Sequence, residues 1–215
     1  MGRYVHNLIQ KGEGMNLDFK YCISDPRKIA RTLSAFSNSE GGKLLIGVRD
    51  NGSLSGVQSD EEYYMIDSAA TLYCDPEVKV KTRNHSINGK NILEVDVPKS
   101  KKIPVRAKDE DGRWKAYFRQ HDQNILADRV ILQVWRRSGS KRGLLLKFDE
   151  KENLLLNYLR GGEKITVAAF RRMAYLNAPR AEKILSDFIL CGIIEYEGTE
   201  KGIFYRLSNE FNVSE

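Results

Sequence analysis

Glu13, Asp18 and Asp50, with Lys20 two positions beyond Asp18, are the residues of this 215-residue chain whose types and placement most directly suggest chemistry. Carboxylates converging from neighbouring strand ends can hold Mg²⁺ or Mn²⁺, and such an ion activates water and neutralises charge on a phosphate under attack. Lys20 would steady the charge that develops there. Alternation over residues 15–21 puts Met15, Leu17 and Phe19 on one face of a strand and Asn16, Asp18 and Lys20 on the other, so Asp18 and Lys20 project together. The plainer assignment makes Glu13 and Asp18 solvated edge charges or partners of Arg31 and Arg49, with Asp50 serving its turn. It is preferred here because an acidic trio brings no obligatory base or metal signature with it.

A second group lies in AFSNSEGGKLLIGVRDNG, residues 35–52. Ile29, Ala30, Leu33 and Phe36 recur at helical spacing, and Ser37, Asn38 and Ser39 offer oxygens that compete with the helical backbone, so a helix should stop there. Gly41 and Gly42 permit positive backbone angles and close approach. Their N–H groups, if open, suit a phosphate or other anion that Asn38 would orient; the alternative is a helix stop and strand packing alone. Leu44, Leu45, Ile46 and Val48 form a strand covered on both faces, closed by a turn at Asp50, Asn51 and Gly52. Farther on, Arg119 alternates with Tyr117 and reads either as a contact to phosphate or base or as an internal salt-bridge arm.

The remaining pattern supplies the elements that must position these residues. A short amphipathic helix is expected over residues 3–10, with Val5, Leu8 and Ile9 inward. Asp25-Pro26 opens the helix that runs into the glycines. A helix over 60–73 has Met65, Ile66, Ala69 and Leu72 as its core stripe, and strands at 77–86 and 92–97 turn at Asn88-Gly89. Lys99, Lys101, Lys102, Arg106 and Lys108 form a basic connection to a strand at 114–118. A helix from 124 or 125 to 135 then closes the first domain, and RRSGSKR, residues 136–142, reads as linker. Beyond it, helices over 149–159 (Leu154, Leu155 and Leu159 inward), 166–175 and 179–190 precede alternating strands at 193–196 and 203–207. Three short helices and a hairpin look like a winged helix-turn-helix, with Arg180 and Lys183 on the third helix and Arg171, Arg172 and Lys201 as further phosphate contacts. The alternative is a dimerisation or partner-binding module on the same frame.

Three blocks in order, GEGMNLDFK (12–20), AFSNSEGGKLLIGVRDNG (35–52) and YFRQHDQN (117–124), resemble the Schlafen-type AlbA domain. The resemblance implies an α+β domain, with a mixed or antiparallel sheet and flanking helices, associated with nucleic-acid binding. In some animal members it implies metal-dependent cleavage of structured RNA. By residue, Glu13 and Asp18 correspond to the two acidic positions of the nuclease-competent members, and Asp50 to the acid after their Gly-Val pair. Asp18 departs from the usual Glu, and His121-Asp122 from a small Gly-Ser pair. The expected organisation is an AlbA-type domain at 1–138, a basic linker at 139–148 and a winged-helix-like domain at 149–215.

Net charge is +6, unevenly spread: through Phe148 there are 26 Lys and Arg against 18 Asp and Glu, and from Asp149 onward 9 against 11. A basic first domain suits a polyanion partner. Cys22, Cys74 and Cys191 have no CxxC spacing, which argues against both a disulfide framework and a zinc site. Neither GEGMNLDFK nor RGGEKIT has P-loop spacing, so no nucleotide hydrolysis is inferred. No apolar run reaches membrane-spanning length and the first residues lack a signal-peptide core, so the chain is expected in the cytoplasm. The reading is therefore a nucleic-acid-binding protein, a DNA-binding transcriptional regulator, with DNA preferred to RNA as partner and homo-oligomers allowed. The rivals are a Mg²⁺- or Mn²⁺-dependent endoribonuclease using Glu13, Asp18 and Asp50, and a non-catalytic oligomerisation or partner-binding module.

Overall fold

The structure, a computed structural model, describes residues 2–57, 59–138, 146 and 148–212, and the chain divides into two compact units, Met1–Leu126 and Ala127–Glu215. In chain order the first unit runs α1 (Gly2–Lys11), β1 (Leu17–Lys20), α2 (Pro26–Asn38), β2 (Gly42–Ile46), α3 (Glu61–Thr71), β3 (Cys74–Asp75), β4 (Lys81–Ile87), β5 (Lys90–Val97), β6 (Arg106–Lys108), β7 (Trp114–Gln120) and β8 (Gln123–Leu126). The Asp25 carboxylate accepts the Arg27 N–H to cap α2, and Pro26 sits in the first turn, where its missing N–H costs nothing. Helix α2 is the crossover between β1 and β2, which run parallel with Asp18 opposite Leu44 and Lys20 opposite Ile46. The other pairings of that sheet, β2 with β5 and β5 with β4, are antiparallel, giving a mixed sheet in the order β1-β2-β5-β4. Asn88 and Gly89 turn the β4–β5 hairpin with φ of 52° and 73°.

Alternation sorts this sheet into two apolar faces. Leu17, Phe19, Leu45 and Ile92 pack with Val5 of α1 on one, and Leu44, Ile46, Leu93 and Val95 pack with Leu33 and Phe36 of α2 on the other. Burial on both faces is why β2 reads as an unbroken apolar run. A second sheet, β3-β6-β7-β8, is antiparallel throughout and packs on α2.

In the second unit α4 (Arg129–Ser138), α5 (Glu150–Arg160), α6 (Val167–Met173) and α7 (Ala178–Leu190) precede β9 (Ile194–Thr199), β10 (Gly202–Leu207) and the short α8 (Asn209–Asn212). Thr166 caps α6 and Asn177 caps α7. An antiparallel bridge from Ile165 to Tyr205 adds a third edge to the β9–β10 hairpin. Leu155, Leu159, Phe170, Ile184, Leu185, Phe188 and Tyr205 form the buried interior.

Several sequence expectations change. Residues 123–126 are strand β8, paired with β7, and the helix begins only at Arg129. That helix buries Val130, Ile131, Val134 and Trp135 and packs on α7, so it belongs to the second unit; the division falls after Leu126 instead of after residue 138. Helix α2 runs on through Ser37 and Asn38. Strand β4 begins at Lys81, and β1 excludes Met15, which is exposed. Leu72 and Leu154 face solvent, and Leu156 takes the inward position beside Leu155. The proposed linker lies mostly outside the described residues, apart from Arg136–Ser138 at the end of α4.

Candidate nucleic-acid interface

Strand β1 carries Asp18 on the face away from Phe19, and Asp18 is 4 % exposed. Its Oδ1 receives Arg119 Nη2 at 2.9 Å and its Oδ2 lies 2.8 Å from Lys20 Nζ. Asp18 and Lys20 thus do project together, as a closed ion pair. Glu13 Oε1 accepts the Phe19 N–H at 2.7 Å, and its carboxyl is pushed up by burial and by the Asp18 charge beside it, against the lowering by that hydrogen bond. Asp50 stands apart from both: it is exposed in the turn after Val48, beyond the end of β2, whereas Asp18 pairs with the third residue of that strand. Among the described residues no three His, Cys, Asp or Glu side chains gather as a metal-holding set. The expected grouping of Glu13, Asp18 and Asp50 therefore does not form, and a divalent cation at Asp18 would meet two cationic side chains already bound there. These donors do not fit Mg²⁺ or Mn²⁺, and Lys20 is Asp18's partner with no open ion site to serve.

Arg119 is 3 % exposed and adopts the internal role. Its Nε donates to Gly14 O at 3.0 Å, Nη1 to Asn124 Oδ1 at 2.8 Å, and Nη2 to Leu17 O at 3.3 Å as well as to Asp18; the guanidinium lies over the Phe36 ring, 5.1 Å from its centre. A buried guanidinium is tolerable only when its donors are met in this way. It ties the Gly14–Leu17 turn and β1 to the second sheet, and no surface remains for phosphate or base.

Asn38 is likewise a fastener. Its Nδ2 donates to Val105 O and Tyr117 O, both at 2.8 Å, and its Oδ1 accepts Val105 N–H at 2.7 Å. Ser34 Oγ accepts the Tyr117 N–H and Ser39 Oγ the Arg119 N–H. Residues 117 and 119 point their backbone groups to one edge, past the end of β6, so side chains from the last turns of α2 replace a missing strand there. Gly41 has φ of 76°, its N–H donates to Phe36 O, and a Cβ on it would lie 2.8 Å from Val97 O; on Gly42 one would strike the Phe36 ring at 2.7 Å. Packing accounts for both glycines, and the Gly41 N–H is not open to an anion.

Of the basic connection, Lys99, Lys101, Lys102 and Arg106 are exposed and Lys108 is half-buried in β6, and the exposed members differ. Lys99 pairs with Glu40 at 2.8 Å and Arg106 with Asp75 at 3.4 Å, whereas Lys101 and Lys102 have no ion pair among the described residues. In the second unit a similar sorting occurs. Arg180 Nη2 lies 2.9 Å from Glu152 Oε1, and Lys183 Nζ 2.7 Å from Asp187 Oδ2, while Asp187 Oδ1 meets Arg137 of α4. Along α7, Ala181, Glu182 and residues 184–188 are buried, so only its first turns, at Pro179, Arg180 and Lys183, face solvent. Arg171 and Arg172 are exposed with no side-chain partner among the described residues, and Tyr175, with φ of 54°, is 93 % exposed in the turn that follows them. Sequence reading missed Tyr175 because at residues 166–175 it sits on a helical pattern; its place just after Ala174, the buried residue that ends α6, and before the Asn177 cap was the available signal.

A buried polar cluster also escaped the sequence. On the α1 face of the first sheet, the fully buried Glu94 meets Lys43 Nζ at 2.8 Å, His85 Nε2 at 2.7 Å and Tyr4 Oη at 3.1 Å. Burial raises the Glu94 carboxyl, but the hydrogen bonds from Lys43 and His85 and the Lys43 charge outweigh it and hold it below its usual range. Glu94 alternates with Leu93, Val95 and Val97, so the pattern turns it toward water; burial of β5 on both faces places it inside.

No helix among the described residues is long and apolar enough to cross a membrane. Comparison with curated proteins finds no match. Among solved structures, the chain is similar to the DIP2311 protein of Corynebacterium diphtheriae, with 19 % identity and a TM-score of 0.44 over 59 % of this chain and 28 % of that one. It is also similar to the N-terminal domain of a RecG-related protein from Nitrosomonas europaea, with 20 % identity and a TM-score of 0.40 over 58 % of this chain and 95 % of that one. The chain thus spans little more than a quarter of the first of these, and both likenesses are too distant to add to the fold described above. The family model for Schlafen, AlbA_2 matches residues 13–128, more than half of the chain and nearly the whole first unit. The match takes in the three sequence blocks from Glu13 onward, together with the Asp18–Arg119 and Asn38 ties that join them, and the chain belongs to the Schlafen AlbA_2 family.

Proposed function

We propose that the protein binds nucleic acid, duplex DNA in preference to RNA, as a DNA-binding regulator, and that its second unit is a winged helix. The order of helix, bridging residue Ile165, two capped helices and hairpin supports the winged-helix reading. The observation that carries the binding proposal is the exposed pair Arg171 and Arg172, unpaired among the described residues, beside Tyr175 at the turn that leads into α7. Free guanidinium groups suit phosphate oxygens, and an exposed ring adds a face for sugar or base. Lys201, exposed at the hairpin tip, supplies a further cation. Because Arg180 and Lys183 are held by Glu152 and Asp187 and most of α7 is buried, the contact uses the α6–α7 turn and the start of α7, with phosphate contacts outweighing base contacts.

Fluorescence anisotropy of the full chain with duplex DNA and with a folded RNA, divalent ions chelated, tests the proposal at low and physiological salt. Binding to the duplex that weakens steeply with salt, and weaker binding to RNA, is expected. No binding to either at low salt would overturn it.

A further inference from the structure

A cleft of about 510 Å³ opens in the first unit between the segment after β3 and the loop ahead of β6, with the end of α2 at its floor. Pro76 and Pro98 give it apolar walls, and Lys79, Lys101 and Lys102 line it with positive charge against a single acid, Glu77. None of the three lysines has an ion pair among the described residues, unlike Lys99 and Arg106 nearby. Ser37, also in the lining, is 1 % exposed, and its hydroxyl has no hydrogen-bond partner among the described residues. Buried hydroxyls are ordinarily satisfied, so one left unmet beside a cleft marks a position where something else bonds.

The loop is also built to stay in place. Ser100 N–H donates to Ser37 O at 2.8 Å, which anchors the loop to α2. Ser100 Oγ accepts the Lys102 N–H at 3.1 Å and donates to Lys102 O at 2.8 Å, so the backbone carrying Lys101 and Lys102 is fixed. Apolar walls, a few converging polar groups and a firm frame are the attributes of a small-molecule site, and the charge specifies an anion.

We propose that this cleft takes one nucleoside phosphate. The base lies between the proline walls, the Ser37 hydroxyl bonds its polar edge, and the phosphate meets Lys79, Lys101 and Lys102. A free mononucleotide and the terminal nucleotide of a single strand share this chemistry. The site goes beyond the duplex-binding reading, lying wholly in the first unit and needing nothing from Arg171 or Arg172.

Isothermal titration calorimetry of the full chain with nucleoside monophosphates and with a 5′-phosphorylated tetranucleotide tests the site, alongside Ser37→Ala and the double variant Lys101→Ala/Lys102→Ala. Saturable binding is expected, about tenfold weaker in Ser37→Ala, as loss of one good hydrogen bond gives, and at least as much weaker in the double variant. Ser37→Ala should unfold at the same temperature as the parent or higher, since it removes an unmet hydroxyl, which separates lost binding from lost fold. Binding of a monophosphate supports the site with a free nucleotide as its source; binding of the tetranucleotide alone supports it with a strand end. Absence of binding by every probe, or binding that neither variant alters, would overturn the proposal. Failure of duplex binding would leave these outcomes unchanged, so the two readings fall separately.

Discussion

The Asp18–Arg119 tie in the first unit and the Arg171–Tyr175 turn in the second hold the same kinds of groups in opposite circumstances. Arg119 has an acid, three further acceptors and a ring around it and is almost wholly buried; Arg171 and Arg172 have no side-chain partner among the described residues and face solvent. The residues that most clearly mark the family maintain the fold, and those free to meet a ligand lie where the pattern is least distinctive. Pulling a buried, bonded guanidinium away from its partners costs several kcal/mol, because the acid it served is left buried and unmet, whereas an exposed one exchanges only water for a phosphate.

Substitutions should separate the two regions. Arg119→Ala has the largest expected effect, because it leaves the Asp18 carboxylate buried with only Lys20: about 3–5 kcal/mol of stability lost in urea unfolding. Asn38→Ala strands the Val105 and Tyr117 backbone groups that it serves and should cost about 2–3 kcal/mol by the same measurement. Neither should weaken duplex binding by the fraction that remains folded. Arg171→Ala/Arg172→Ala should do the reverse, reducing duplex affinity about tenfold at physiological salt and lowering the salt slope by about two, with stability within about 0.5 kcal/mol of the parent.

Acid gives a gentler test of the buried side. A carboxyl held low in the folded state stabilises fully above its unfolded value and loses that contribution as pH falls through the folded one. Glu94 is such a group, so stability of the first unit should decline below about pH 4.3, the ordinary Glu value, and Glu94→Gln should flatten the decline while lowering stability at neutral pH. Glu13 has the opposite sign: its carboxyl is raised, its ionised form is disfavoured at neutral pH, and protonation in acid relieves this. Glu13→Gln, which retains an acceptor for the Phe19 N–H, should leave stability unchanged or slightly raised and duplex binding unaltered, the smallest effect of the set.

Much of this frame was legible from local pattern. Period-two alternation put Asp18 beside Lys20, Asp25-Pro26 marked the start of α2, and Asn88-Gly89 marked the β4–β5 turn, each depending only on near neighbours. The role of Asn38 was not, because its partners Val105 and Tyr117 lie 67 and 79 residues away. Residues 123–126 are too few to reveal a period, and pairing with β7 decides them as strand. The apolar stripe of α4 signals burial but not against which unit, which is why the division falls earlier than composition suggested. Arg180 and Lys183 looked available on a helix viewed alone; Glu152 and Asp187 occupy them in the fold.

Whether duplex DNA is held by the α6–α7 turn and not by the Arg119 tie is decided by one anisotropy titration of duplex DNA, across salt, against the parent chain, Arg119→Ala and Arg171→Ala/Arg172→Ala, with the folded fraction of each measured in the same buffer. Arg119→Ala should show parental affinity per folded molecule and an unchanged salt slope, and the double variant weaker binding with a shallower slope. Loss of affinity in folded Arg119→Ala with full binding by the double variant would contradict that assignment.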